Sequence, residues 1–103
     1  MLASLSPGAR AQFVNALDSD TKVVLIHLGR TGQPVSKKAL YRALVLSRFR
    51  GDKAVTILEA LELIRWEESG PAKAYSLTDE GALAYATLVP DHATTELLMK
   101  EAT

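Results

Sequence analysis

Apolar residues recur along this chain at two spacings, and the switches between them mark its elements. Ser6-Pro7 makes a helix start, with serine at the N-cap and proline at the first helical position. Ala9, Phe13, Ala16 and Leu17 then share one stripe, which predicts a helix over about residues 7 to 17. Asp18-Ser19-Asp20 places acids ahead of the run Val23, Val24, Ile26, His27, Leu28. The β-branched density of that run suits a strand. The acidic cap and Gly29 favour a buried helix over about 20 to 28. Gly29 to Pro34 reads as a loop, and Val35 as a strand of one or two residues.

Ser36 caps a third predicted helix from Lys37 to about Leu46, with Leu40, Leu44 and Tyr41 turned inward. Ser47-Arg48-Phe49-Arg50-Gly51 interrupts the pattern and is expected as a turn. A fourth helix is expected from Asp52, burying Val55, Leu58 and Leu61. Ile64 to Glu68 reads as a strand, Ser69 to Ala72 as a turn, and Ala74 to Leu77 as a returning strand. Thr78 caps a further helix that runs to Val89, where Pro90 ends it. A last helix, about 94 to 102, carries Leu97, Leu98 and Met99. The order predicts a mainly α fold with a small β-hairpin. The helices and the hairpin bury their apolar faces only by stacking on one another.

Composition narrows the class. With 103 residues, 48% of them apolar, the chain is expected to form one domain around one core, about residues 6 to 88. A C-terminal helix at about 91 to 103 would lie outside that core. The absence of cysteine removes disulfides, zinc fingers and thiol nucleophiles together. The first residues carry no cation ahead of an apolar stretch, which argues against a signal peptide. The longest apolar runs, Val23 to Ile26 and Ala43 to Leu46, are too short to span a bilayer. A soluble, cytoplasmic protein without a membrane partner is the expectation.

Catalysis finds little support. His27 sits in a buried apolar run and reads as a hydrogen-bonded core histidine, and His92 as a surface residue in a connection. The carboxylate pairs Asp18/Asp20 and Asp79/Glu80 fall where helix capping already explains them. Gly29 and Gly32 form no phosphate-binding pattern. No enzyme activity, cofactor or metal is expected.

Three segments carry a resemblance. Leu58-Glu59-Ala60-Leu61-Glu62-Leu63-Ile64-Arg65 resembles the end of the recognition helix in MarR-like and related bacterial regulators. Tyr75-Ser76-Leu77-Thr78-Asp79-Glu80-Gly81 is similar to the segment where their wing returns and the next helix is capped. Val35-Ser36 before a helix resembles the entry to the first helix of their helix-turn-helix. The resemblance covers about half of the chain and implies a winged helix-turn-helix that binds double-stranded DNA and regulates transcription, with repression as the default. Two departures stand out. Glu62 replaces a glycine that usually supplies a left-handed helix end, so the helix ends differently here or Glu62 accepts the strain. The wing turn, Ser69 to Lys73, holds only Lys73 as a cation.

Charge placement agrees with that implication. The chain has 12 cations, 12 anions and no net charge, which argues against a protein that coats any nucleic acid. Six of the cations lie between Ser36 and Lys53, opposed there only by Asp52. A basic stretch on an exposed helix is often only a solvated face. Here it coincides with the DNA-reading part of the implied fold. In a helix-turn-helix the second helix enters the major groove by its N-terminal end. Arg48, Arg50, Lys53 and Thr56, with Ser47 at their head, are therefore the expected contacts at or near bases. Lys37, Lys38 and Arg42 are placed for phosphates, and Lys73 for one more from the wing.

Trp66 and Tyr75 are expected to pack the hairpin onto the helices. Such regulators usually bind as two-fold dimers, so a homodimer is expected, with Leu5, Phe13, Leu97 and Leu98 at its interface or else covering the chain's own core. The alternative function is a winged-helix module that binds a partner protein rather than DNA, which Glu59, Glu62 and the short wing favour. Phe49 fits either picture, or anchors the turn as a core residue.

Overall fold

A computed structural model describes residues 1 to 89. A single 3-10 turn at Leu2–Ser4 precedes helices α1 (Pro7–Asn15) and α2 (Ser19–Thr31). Strand β1 (Val35–Ser36) follows, then helices α3 (Lys37–Leu44) and α4 (Arg48–Ala60). The hairpin β2 (Ile64–Ser69) and β3 (Ala72–Leu77) leads into α5 (Asp79–Leu88). The expected helix at 94 to 102 lies outside the described residues.

Each of the five helices begins at a side-chain cap. Ser6, Asp18, Ser36, Ser47 and Thr78 accept from the backbone amides of Ala9, Thr21, Ala39, Arg50 and Gly81. Asp18 also takes the hydroxyl of Thr21, the one buried polar side chain among the described residues. The caps at Ser6, Ser36 and Thr78 are where the residue pattern puts them.

Several boundaries differ from the sequence reading. The first and third helices stop two residues early, at Asn15 and Leu44. The second runs through Gly29 and ends only where Gly32 turns left-handed, at φ +65°. The returning strand starts at Ala72 rather than Ala74, because a loop of only Gly70-Pro71 pairs Ser69 with Ala72.

The largest correction concerns residues 47 to 51. They are not a turn. Ser47 caps α4, and Arg48 to Gly51 form its first helical turn. Gly51 belongs there because the Tyr41 ring of α3 lies directly against its Cα, in space that a Cβ would need. The real turn is Val45-Leu46, two residues long, in which Val45 itself adopts φ +53°.

A β-branched residue in the left-handed region is strained, by about 1–2 kcal/mol. Val45 is also 86% exposed, so its side chain contributes little packing in return. Val45→Gly is therefore expected to stabilise the protein by about 1 kcal/mol in urea denaturation. A loss of stability would show that Val45 makes contacts which outweigh the strain.

The strands form one antiparallel sheet in the order β1-β3-β2. Val35 pairs with Tyr75, and Trp66 lies opposite Tyr75 on the other side. The core lies between helices and sheet. It joins Val14 of α1, Leu25 and Leu28 of α2, Leu40 of α3, Val55 and Leu58 of α4, Tyr75 of β3 and Ala84 of α5. Leu2, ahead of the expected core limit, is fully buried in it, and Leu5 and Phe13 pack half-buried against it. Tyr75 packs the hairpin onto the helices as expected. Trp66 does not, and stays 44% exposed. His27 is likewise only half-buried, on the side of α2 beside Val23, Ile26 and Leu44, rather than enclosed in the core.

Glu62 takes the left-handed helix end, at φ +59°. Thr78 holds that bend from the far side of the hairpin. Its hydroxyl donates to the Glu62 carbonyl at 2.6 Å and its amide to the Leu63 carbonyl at 3.0 Å.

Candidate nucleic-acid interface

The burial of α4 defines its faces. Gly51, Ala54, Val55 and Leu58 point into the core. Phe49, Lys53, Thr56 and Ala60 follow at spacings of four, three and four residues, which places them on the opposite side, and all four are exposed. This stripe is the outermost line of the helix. Arg48 and Asp52 flank it on the side of α3, and Arg50 on the side of α2.

The flanking charges are tied to neighbouring elements. Arg50 donates Nε to one carboxylate oxygen of Asp20 at 2.9 Å and Nη2 to the other at 2.6 Å. This fork joins the first turn of α4 to the first turn of α2. The Arg50 guanidinium holds the Asp20 carboxyl below its ordinary range. Asp52 accepts from the Tyr41 hydroxyl at 2.6 Å and pairs with Lys37 at 3.4 Å and, more loosely, with Arg48 at 3.8 Å. The Tyr41 bond, then Lys37, keeps the Asp52 carboxyl low, while burial followed by Asp52 pushes the Tyr41 phenol well up.

The sign of the Asp20 effect fixes a pH window. A carboxylate whose pKa is lowered in the folded state adds stability above the ordinary aspartate range near 3.8, and loses it as pH falls through the lowered value. Acid unfolding of Asp20→Asn should therefore show a shallower loss of stability below about pH 4 than wild type. An unchanged acid limb would mean that the fork does not hold in solution.

The nine residues expected at the interface thus separate into groups. Lys53 and Thr56 stand on the outward stripe, and Arg48 stands beside it with a side chain 94% exposed. Ser47 spends its hydroxyl on the Arg50 amide as a helix cap. Arg50, expected near bases, is turned aside to Asp20. On α3, Lys38 and Arg42 are exposed, and Lys37 sits between Asp52 and the Tyr75 ring, 5.8 Å from its centroid. The N-terminus of α3 and the hairpin form a cleft of about 350 Å³, lined by Ser36, Lys37, Lys38, Ala72, Lys73 and Tyr75. It brings the α3 lysines and Lys73 to one place. Lys73 rests its ammonium over the Trp66 ring, 4.1 Å from the centroid.

Phe49 is the residue that the sequence reading left open. It is no core anchor, being 80% exposed at the head of the outward stripe. The missed signal was the start of α4. Once Ser47 is taken as the cap, the spacing to Lys53, Thr56 and Ala60 places Phe49 in line.

Among the described residues no group of three or more histidine or acidic side chains is arranged to hold a metal, and no helix is long and apolar enough to cross a membrane.

No family model and no curated protein matches the sequence. Solved structures do match. ZitR of Lactococcus lactis superposes with a TM-score of 0.68 at 21% identity, over 84% of this chain. The adhesin competence repressor AdcR of Streptococcus pyogenes gives 0.67 at 17%, again over 84% of this chain and over 66% of its own. MepR, a transcription regulator of the Staphylococcus aureus multidrug efflux pump MepA, gives 0.70 at 13%, over 93% of this chain and 77% of its own. The chain spans 60% of the length of ZitR. At these identities the likeness establishes architecture. The arrangement of α2, α3, α4 and the β2–β3 wing is that of a winged helix-turn-helix.

Proposed function

We propose that this protein is a sequence-specific double-stranded DNA-binding transcriptional regulator, acting as a repressor and entering the major groove with the first turns of α4. The observation that carries the reading is the outward stripe of α4. It offers Phe49, Lys53 and Thr56, with Arg48 beside them, to solvent at the N-terminal end of the second helix of a helix-turn-helix. Lys38 and Arg42 on α3, and Lys73 on the wing, add exposed cations, with Lys38 and Lys73 on one shared cleft, at positions suited to phosphates. Repression rests on the names of structural neighbours, of which one is a repressor. No catalytic step is part of this reading.

A single α4 covers one half-site, so the functional form is taken to be a homodimer binding two half-sites about 34 Å apart. Leu5 and Phe13 pack against their own core and are only partly buried among the described residues, which suits them to a partner copy. Leu97 and Leu98, the other expected interface residues, lie outside the described residues. The mass in dilute solution should be twice the 11.1 kDa of one chain.

The test is fluorescence anisotropy with labelled random-sequence duplex over a series of salt concentrations. Binding that weakens steeply as salt rises, with a log–log slope of about −3 or steeper, supports the reading, because each phosphate contact contributes about −0.9. Absence of binding at low salt by a folded protein would assign the α4 face to a partner protein instead.

A further inference from the structure

Phe49 holds an unusual place for a phenylalanine. Among the described residues, three large hydrophobic side chains are more than 60% exposed, namely Met1, Val45 and Phe49, and the last two flank the start of α4. No described residue covers Phe49, yet it stands on the same line as Lys53 and Thr56, with Arg48 next to it. Leaving a phenyl ring in water forfeits stabilisation that a buried site would supply. Its neighbours carry positive charge, so a surface that covers it must be apolar at its centre and negative around it. The major groove meets that description at thymine, whose 5-methyl group projects between phosphate backbones.

Resting on the DNA-binding reading above, we infer that Phe49 is a specificity-determining residue that reads thymine through its 5-methyl group. Lys53 and Arg48 hold the phosphates or base edges around that contact, and Thr56, about two turns beyond Phe49 on the stripe, adds a methyl-bearing side chain. Arg50 is kept clear of the contact because Asp20 draws its guanidinium toward α2. The first turn of α4 therefore presents an aromatic ring at its tip where an arginine would otherwise compete for the same base.

The experiment uses a duplex selected from a random library by the full-length wild-type protein. Each thymine of that duplex is replaced singly by deoxyuridine, which removes only the methyl group. Wild type is expected to lose about fourfold in affinity at one or two positions per half-site, the effect of one methyl group left unburied. Phe49→Ala should bind the parent duplex more weakly and show no further loss at those positions, while Phe49→Leu keeps part of the discrimination. Equal sensitivity to deoxyuridine in wild type and Phe49→Ala would overturn the inference and leave DNA binding intact. A change in the mass of the free protein on Phe49→Ala would overturn it in favour of a second copy of the chain as the occupant. Failure of wild type to select any duplex would overturn both the inference and the reading it rests on.

Discussion

Gly81→Ala is expected to lower the thermal unfolding midpoint by roughly 15 °C, a loss of about 3 kcal/mol in a domain of this size. The Cβ of an alanine at 81 would enter the space of the Leu63 carbonyl group, with the Leu77 side chain 3.2 Å away on another side. Side-chain neighbours can rotate, but a backbone carbonyl held on both sides cannot. Leu63 is fully buried, its carbonyl accepts the Thr78 amide at 3.0 Å, and Thr78 in turn caps α5 through the Gly81 amide at 3.1 Å. Relief would require α5 to leave the hairpin, which breaks the cap and opens the core at Ala84. Gly8→Ala is the matched control. Gly8 is exposed in α1 with nothing within 4 Å, so the change should be neutral or stabilising by up to about 1 kcal/mol. Equal melting of the two variants would show that α5 does not approach the hairpin end as described. Differential scanning fluorimetry is sufficient to tell them apart.

The second large effect is expected on binding. Arg48→Ala/Lys53→Ala should bind duplex DNA about a hundredfold more weakly near physiological salt, and its salt slope should be shallower by about two. Both side chains are exposed, and neither is a core contact, so the fold should be unaffected. Arg48 has only a long 3.8 Å contact with Asp52 to lose, while Lys37 and Tyr41 keep that carboxylate satisfied. Arg50→Ala gives a different outcome on this account. With its fork already spent on Asp20, its removal should lower stability above about pH 4, where Asp20 is ionised, more than it lowers DNA affinity, and leave acid stability little changed. A hundredfold loss on Arg50→Ala, with little effect of the Arg48/Lys53 pair, would mean that the fork opens on DNA and that the outward stripe is not the reading face.

Much of this fold was legible because the relevant signals are local. Ser6, Asp18, Ser36 and Thr78 announce their helices through capping chemistry that needs only a few residues. The hairpin announces itself through short apolar runs around Gly70-Pro71. Gly81 was visible as part of the Leu-Thr-x-x-Gly element, and the Leu63 carbonyl now supplies the physical reason for it.

What escaped the residue pattern depends on distant neighbours. Gly51 looks like a breaker until the Tyr41 ring, ten residues earlier, is seen to need its missing side chain. Reading it as a turn moved the start of α4 four residues, from Arg48 to Asp52, and hid the place of Phe49. Val45 gave no hint of a left-handed turn, since valine disfavours that conformation and only the packing of α3 on α4 imposes it. The pairing of Arg50 with Asp20 spans 30 residues and has no sequence signature. Seven of the nine expected interface residues carry a positive charge, and charge alone does not tell a cation facing solvent from one turned back onto the protein.

The most direct measurement of the central claim is backbone amide chemical-shift mapping of the full chain during titration with a selected duplex. The largest changes are expected at residues 36 to 42, from the cap of α3 onward, at 47 to 56, from the cap of α4 onward, and at Lys73 on the wing, with α1 and α5 nearly silent. Changes confined to α1 and α5, with residues 47 to 56 undisturbed, would contradict it.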